Sequence, residues 1–276
     1  MPFSGVVQLF SGRPVHPVGP DGRMALSDHL RELRARVMRV ALALTLALVA
    51  SLFFFDQIFS LVIGPYHHAQ EALGEDVTRP VVSGPGGPFL LYFKLCGLTA
   101  LVVTSPYWLY QIWAFILPGL HPQERKWSRI FAAVAGPLFI VGVAIAYATL
   151  PKGLEVLIGF TPADLTNLVE FNEYLTFFSR TMLVFGIAFE IPVFIVLLSA
   201  AGIVSGAWLG AHRSWMILVV FVFAAIATPS TDPFTMTFMA VPMVLLILVS
   251  EVIARSIDRR RAARRTQLDP DRASPL

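Results

Sequence analysis

The chain has 276 residues, of which 56% are hydrophobic and only 14% charged, with a formal net charge of +3 and a mean hydropathy of +0.69. Soluble domains run at roughly 45–50% apolar and about 25% charged, so too little polar surface exists here to cover a water-soluble globule, and disorder, which needs low hydrophobicity and high charge, is excluded on the same ground. Cys96 as the sole cysteine excludes a disulfide scaffold, and one Cys with six scattered His argues against a zinc cluster.

What remains is a polytopic membrane protein, which predicts an all-α bundle. Residues 1–23 carry no apolar span, no signal-peptide pattern and little periodicity. Met24 stands just before the helix-start pair Ser27-Asp28. Residues 1–23 are therefore expected to be a disordered extension, or Met24 to be the true start. Leu26, Leu30, Leu33 and Val37 then recur at helical spacing and predict an amphipathic helix leading into a first span over 40–62. Glu32 and Arg36 on it are i,i+4 partners, the pattern of a plain surface salt bridge. The same carboxylate, on the lip of a membrane, is available to a basic ligand.

The stretch Gly64–Lys94 is rich in Gly and Pro and reads as an ordered cap between spans. His67-His68 within it lacks a third ligand nearby in sequence, which disfavours a metal. A second span is predicted over 95–117. Its end, Tyr110-Gln111-Ile112-Trp113-Ala114-Phe115, has the Tyr and Trp of an interfacial belt. Pro118-Gly119 stops it, and Pro122 opens the next helix, where Glu124 in the first turn suits the helix dipole. A third span is expected over 130–150. Between it and a fourth, over 175–198, Leu154, Val156, Leu157 and Ile158 suggest a short amphipathic helix at the interface.

Glu190 lies in the middle of that fourth apolar run. An ionisable group at membrane depth costs at least about 2.5–3.5 kcal/mol, so it should face a cavity or a partner. The bland alternatives are a pair with Arg180, about 15 Å away along the same helix, or a neutral hydrogen-bonded carboxyl. The fifth span, over 214–228, is short, and its apolar run Trp215–Thr228 reaches only about 21 Å. After Thr228-Pro229-Ser230-Thr231-Asp232-Pro233 comes a sixth, over 234–253, interrupted by Pro242. Asp232 suits the N-cap of that last helix with Pro233 at its first position, and a functional role is weighed equally. A basic tail follows over 258–276.

Six spans put both termini on one side. All but four of the 21 Lys and Arg (Arg79, Lys94, Lys152 and Arg180) fall on that side, which the positive-inside rule makes cytoplasmic. Topology accounts for the net charge better than nucleic acid does, and no nucleic-acid partner is expected. No Ser-nucleophile, HExxH or Walker motif is present.

Taken in order, the His-Leu-x-Glu-Leu-Arg-x-Arg helix, the Tyr-Gln-Ile-Trp-Ala-Phe end with Pro-Gly-Leu and then Glu-Arg, Phe-Glu-Ile-Pro around Glu190, and Thr-Pro-x-x-Asp after the fifth span resemble TatC, the multispanning component of the twin-arginine protein translocase. The resemblance runs roughly from Leu26 to Ile257, within a domain of 24–257. It implies a concave, glove-like six-helix bundle in the bacterial inner membrane and a non-enzymatic role without cofactor. It implies binding of twin-arginine signal peptides of folded cargo at the cytoplasmic face, single-span TatA and TatB partners, contact with membrane lipid, a homo-oligomer within the complex, and energy from the proton gradient. Carried onto this chain, signal recognition falls on Glu32, Leu33, Arg34, Phe115, Glu124 and Arg125. The partner-facing cavity falls on Glu190, Pro192, Thr228, Pro229 and Asp232. Physically, each motif guanidinium needs a carboxylate acceptor, and Glu32 and Glu124 supply one each if their helix ends meet. A secondary transporter would want midplane charges from several spans and an internal repeat. An intramembrane enzyme would want a second catalytic group at the depth of Glu190. The sequence offers neither.

Overall fold

The computed structural model describes residues 26–74, 77–116, 125–162, 164–200, 202–227 and 233–268, and among these the chain forms nine helices and two short strands. Helix α1 spans Leu26–Phe53, α2 Phe55–Leu73, α3 Gly87–Val103, α4 Ser105–Ile116, α5 Arg125–Gly159, α6 Phe171–Ala200, α7 Gly206–Ala211, α8 Arg213–Ala227 and α9 Pro233–Leu268. Strand β1 is Thr78–Val81 and β2 is Asn167–Glu170. By length and hydropathy, segments of α1, α5, α6 and α9 suffice to cross a membrane, and α3 with α4 make a fifth crossing if taken as one bent span. Arg213–Ile226 is a shorter apolar helix. Residues 1–23 and the tail beyond Leu268 lie outside the described residues.

Three expected elements differ from what forms. The apolar run over 40–62 is not one helix: α1 carries the leading amphipathic segment straight into the apolar stretch and stops at Phe53, and α2 starts after Phe54 with Asp56 in its first turn. A carboxylate at a helix N-terminus meets the positive end of the dipole, so a fresh helix is favoured there. The run over 95–117 is likewise two helices, α3 and α4, meeting at a bend of 56°. Pro106 has no N–H to continue the ladder and disfavours helical geometry at the residue before it. Side chains add bonds at the break: Thr104 Oγ1 donates at 2.7 Å to the Ala100 oxygen, which also keeps the Thr104 N–H at 3.0 Å, and Trp108 Nε1 donates to the Leu101 oxygen at 2.9 Å. Third, Leu154–Ile158 is no separate interfacial helix. It continues α5 through Pro151, with Leu154 and Ile158 in the core.

Helix α6 is the hub, packing along α5, α9 and α3. Between apolar helices in lipid the hydrophobic effect supplies little, and close van der Waals approach does the work. Gly142 and Gly186 permit it: a Cβ on Gly142 would come within 2.7 Å of the Phe185 carbonyl oxygen, and one on Gly186 within 2.5 Å of the Phe139 ring. Helix α1 is the opposite case, with only 6% of its most apolar window buried against 44% for α6. Its Leu42, Leu46 and Val49 face outward.

At the end of the bundle away from Glu32, α2 folds back over the helices. Pro65 has no N–H for the carbonyl of Leu61 one turn earlier, and the Tyr147 hydroxyl of α5 donates to that oxygen at 2.9 Å. The Tyr174 hydroxyl of α6 donates to the neighbouring Val62 carbonyl at 2.6 Å. Tyr66 and Thr78 share a hydroxyl bond of 2.8 Å, and Gln70 Nε2 donates to the Thr78 carbonyl at 2.7 Å, so α2 is fastened to β1. β1 pairs in parallel with β2, Thr78 opposite Asn167 through Val81 opposite Glu170. Glu170 then caps α6, accepting from the Glu173 N–H at 2.9 Å and from Asn172 Nδ2 at 3.1 Å.

Candidate functional site

The expected recognition residues begin on α1. Leu33, Val37, Val40 and Leu44 follow one helical stripe, and Trp108, Gln111, Ile112 and Phe115 follow another on α4. The bend at Thr104 turns α4 so that its stripe faces that of α1. Between them lies a cavity of about 450 Å³, floored by Phe139 of α5 and by Leu183 and Ile187 of α6. Its walls are almost wholly apolar except at the rim, where Arg36 and Gln111 sit.

The rim is a connected polar cluster. Arg36 Nε and Nη2 donate to the same oxygen of Glu32, Oε1, at 3.0 and 2.5 Å, and Arg36 Nη1 donates to Gln111 Oε1 at 3.0 Å. The Glu32 and Arg36 side chains are 14% and 19% exposed. This is more enclosed than an ordinary surface pair, because α4 shields one side. His29 of the first turn of α1 stacks on Phe115, ring centroids 4.4 Å apart, and draws the two helix ends together.

Of the expected recognition residues, the structure brings Glu32, Leu33 and Phe115 to one place. Arg34 is exposed and does not line the cavity. Arg125 opens α5, and Glu124 lies outside the described residues. Gln111 and Arg36 were within the motifs read from the sequence but carried no expected role at this cavity. The signal that could have found Gln111 is its polarity on an apolar helical stripe.

Glu190 stands on α6 one turn beyond Ile187, toward the same end of the bundle. Both its carboxyl oxygens are buried without a hydrogen-bond partner among the described residues. A nearby polar group is the Trp113 indole of α4. It does not pair with Arg180, which is exposed and lines a different cavity, of about 660 Å³, beside Glu173 and Tyr174. Pro192 lies inside the continuous helix α6 two residues later. Thr228, Pro229 and Asp232 lie outside the described residues.

A further charged cluster holds the last helices together. Arg213 at the start of α8 grips Glu251 of α9 through both carboxylate oxygens, at 3.0 and 2.8 Å, and Arg255 joins at 2.6 Å. Asp258 Oδ2 accepts the Gly206 N–H at the start of α7 at 2.7 Å. Glu251 is 2% exposed and stands near the end of the apolar run over 234–253, between Ser250 and Val252, where the sequence analysis gave it no role. Among the described residues no group of three His, Cys, Asp or Glu can hold a metal. His67 Nδ1 faces Gln70 and His68 Nδ1 faces the Gly64 carbonyl.

These features define a helical membrane protein with a partly enclosed charged cluster at the rim of an apolar cavity. The family described as "TatC: Sec-independent protein translocase protein (TatC)" matches residues 28–242. The chain is 41% identical over 268 residues to the Sec-independent protein translocase protein TatC of Frankia casuarinae, covering 93% of this chain and 74% of that one. It is 37% identical to the TatC of Xylanimonas cellulosilytica, covering 88% of each. The crystal structure of a twin-arginine translocase receptor, TatC, superposes with a TM-score of 0.72 at 29% identity, covering 83% of this chain and 99% of that one. The chain belongs to the TatC family, a translocase component and not an enzyme.

Proposed function

We propose that this protein binds twin-arginine signal peptides at the cytoplasmic face of the bacterial inner membrane and, with TatA- and TatB-type single-span partners, starts export of folded proteins driven by the proton gradient. In this reading the chain crosses six times with both termini inside, α8 being the short fifth crossing. The observation that carries it is the position of Glu32, a carboxylate at the rim of an apolar cavity lined by Leu33 and Phe115. Such a site suits a ligand whose guanidinium groups stand beside an apolar segment. Guanidinium offers a rigid fork of donors to a carboxylate, which lysine does not. Glu124, close in sequence to the start of α5, is assigned as the second acceptor, with Arg34 and Arg125 as flanking cations. Glu190 and Pro192, with Thr228, Pro229 and Asp232, are assigned to partner docking.

The test is site-specific crosslinking of a twin-arginine signal peptide to the protein in native membranes. Glu32→Ala is expected to lower the yield about fivefold, in line with loss of one partly screened charge-assisted contact of about 1 kcal/mol. Glu32→Ala with Glu124→Ala is expected to remove crosslinking while membrane insertion persists. Unchanged crosslinking in the double variant overturns the proposal.

A further inference from the structure

Glu32, the carboxylate assigned to a cargo arginine, is not vacant: an arginine of the chain itself already holds it. Two donors of Arg36 converge on Oε1, and the third reaches across to Gln111 on α4. Oε2 of Glu32 accepts no bond from the described residues. The Arg36 side chain is also part of the cavity wall at its rim, so it borders the apolar space while it holds the carboxylate.

We propose that Arg36 is a built-in surrogate for a cargo arginine, and that displacing it is the step that rejects lysine. The proposal rests on the reading that Glu32 receives a ligand guanidinium. A ligand cation first meets Oε2, which accepts no bond from the described residues. To close a fork on both oxygens it must take Oε1 from Arg36. For an incoming guanidinium the exchange nearly conserves charge-assisted bonds, since one fork replaces another. An ammonium is a point charge with no planar fork, so it gives up geometry that Arg36 already has. Arg36 keeps its bond to Gln111 Oε1 after release, which provides a place for the displaced side chain against α4. As it swings away the rim widens, and the apolar part of the ligand gains the cavity. Discrimination thus comes from competition inside the protein. With Glu32 unoccupied, either cation would find an acceptor at a wet membrane lip.

The experiment uses the full chain in lipid nanodiscs and two synthetic signal peptides, one with paired arginines and one with paired lysines. Each carries an environment-sensitive fluorophore in its apolar segment. In the unaltered protein the arginine peptide is expected to bind tighter and its fluorophore to shift to the blue. In Arg36→Gln the arginine peptide is expected to bind about threefold tighter. The arginine-to-lysine affinity ratio is expected to fall at least fivefold, and the lysine peptide now to show the blue shift. Arg36→Lys, with charge but no fork, should fall between.

An unchanged ratio in Arg36→Gln, or loss of arginine-peptide binding in a variant that melts normally, overturns the surrogate role. Should Arg36→Gln fail to fold, Gln111→Met serves instead: it loosens the outer anchor of Arg36 and should move the ratio in the same direction by a smaller factor, an unchanged ratio again overturning the role. Glu32→Gln separates the two levels. If it leaves arginine-peptide binding intact, the acceptor reading and the surrogate both fall. If it weakens binding while the Arg36→Gln ratio stays fixed, only the surrogate falls.

Discussion

Single side chains here do work that their residue type alone does not announce. Tyr147 is an example: its hydroxyl satisfies the Leu61 carbonyl that Pro65 leaves without a donor. Tyr147→Phe should cost about 1 kcal/mol, the ordinary net worth of one hydrogen bond, seen as a lower midpoint in chemical unfolding of the purified protein. Pro65→Ala should make that loss smaller, because an alanine N–H can take over the carbonyl. At this scale the sequence was legible where partners are local. The Glu32–Arg36 pair follows from i,i+4 spacing, and it forms. The bond from Arg36 to Gln111 spans 75 residues and no spacing rule reaches it. Glu190 was legible as an anomaly, a carboxyl in an apolar run, but the indole near it belongs to another helix.

At the scale of elements, the cap at the strand end depends on Glu170. Burial alone would raise its pKa, but hydrogen bonds from the Asn172 side chain and from the backbone N–H groups of Glu173 and Ser83 outweigh this and hold it below the ordinary carboxylate value of 4.5. A carboxyl whose pKa is lowered by folding contributes stability that is full above its unfolded value and is lost as pH falls through its folded value. Hydrogen-exchange protection of the β1–β2 amides should therefore drop as pH falls below about 4.5, and Glu170→Gln should lose part of that protection at neutral pH and flatten the response. Protection that does not change with acidification would count against this account. The two strands were not legible. Each is four residues long, and Pro80 inside β1 argues against a strand, being tolerated only because a two-stranded ladder is all edge. The bend between α3 and α4 had a local cue in Pro106, but an apolar run of span length hides a break because hydropathy does not register geometry. The continuous helix α1 was easier, since its leading stripe and its apolar run share one period.

For the molecule as a whole, composition marks four helices among the described residues long and apolar enough to cross, and a fifth if α3 and α4 form one bent span, because lipid imposes length and apolarity on every crossing. Taken as the fifth crossing proposed above, α8 is the exception with a consequence. Arg213–Ile226 is 14 residues, about 21 Å of helix, against about 30 Å of hydrocarbon. Glu251 and Arg255 of α9 fix its start through Arg213, so it cannot slide to share the mismatch evenly. The melting temperature in nanodiscs should be higher in lipids with a thinner hydrocarbon core, and Glu251→Gln should both lower it and weaken its dependence on thickness. Equal melting across lipids of different thickness would contradict this. The glycine pair Gly142 and Gly186 belongs to the same scale: Gly186→Leu should separate α5 from α6 and reduce the folded yield.

The parallel pairing of Thr78–Val81 with Asn167–Glu170 also dictates an order of assembly. The first strand is synthesised well before the second, and α3, α4 and α5 must be made in between. Until the ribosome has delivered residue 170, the earlier segment has no mate and its backbone is open to proteases on that side of the membrane. A nascent chain halted between α4 and β2 should be nicked there, and one halted after α6 should resist.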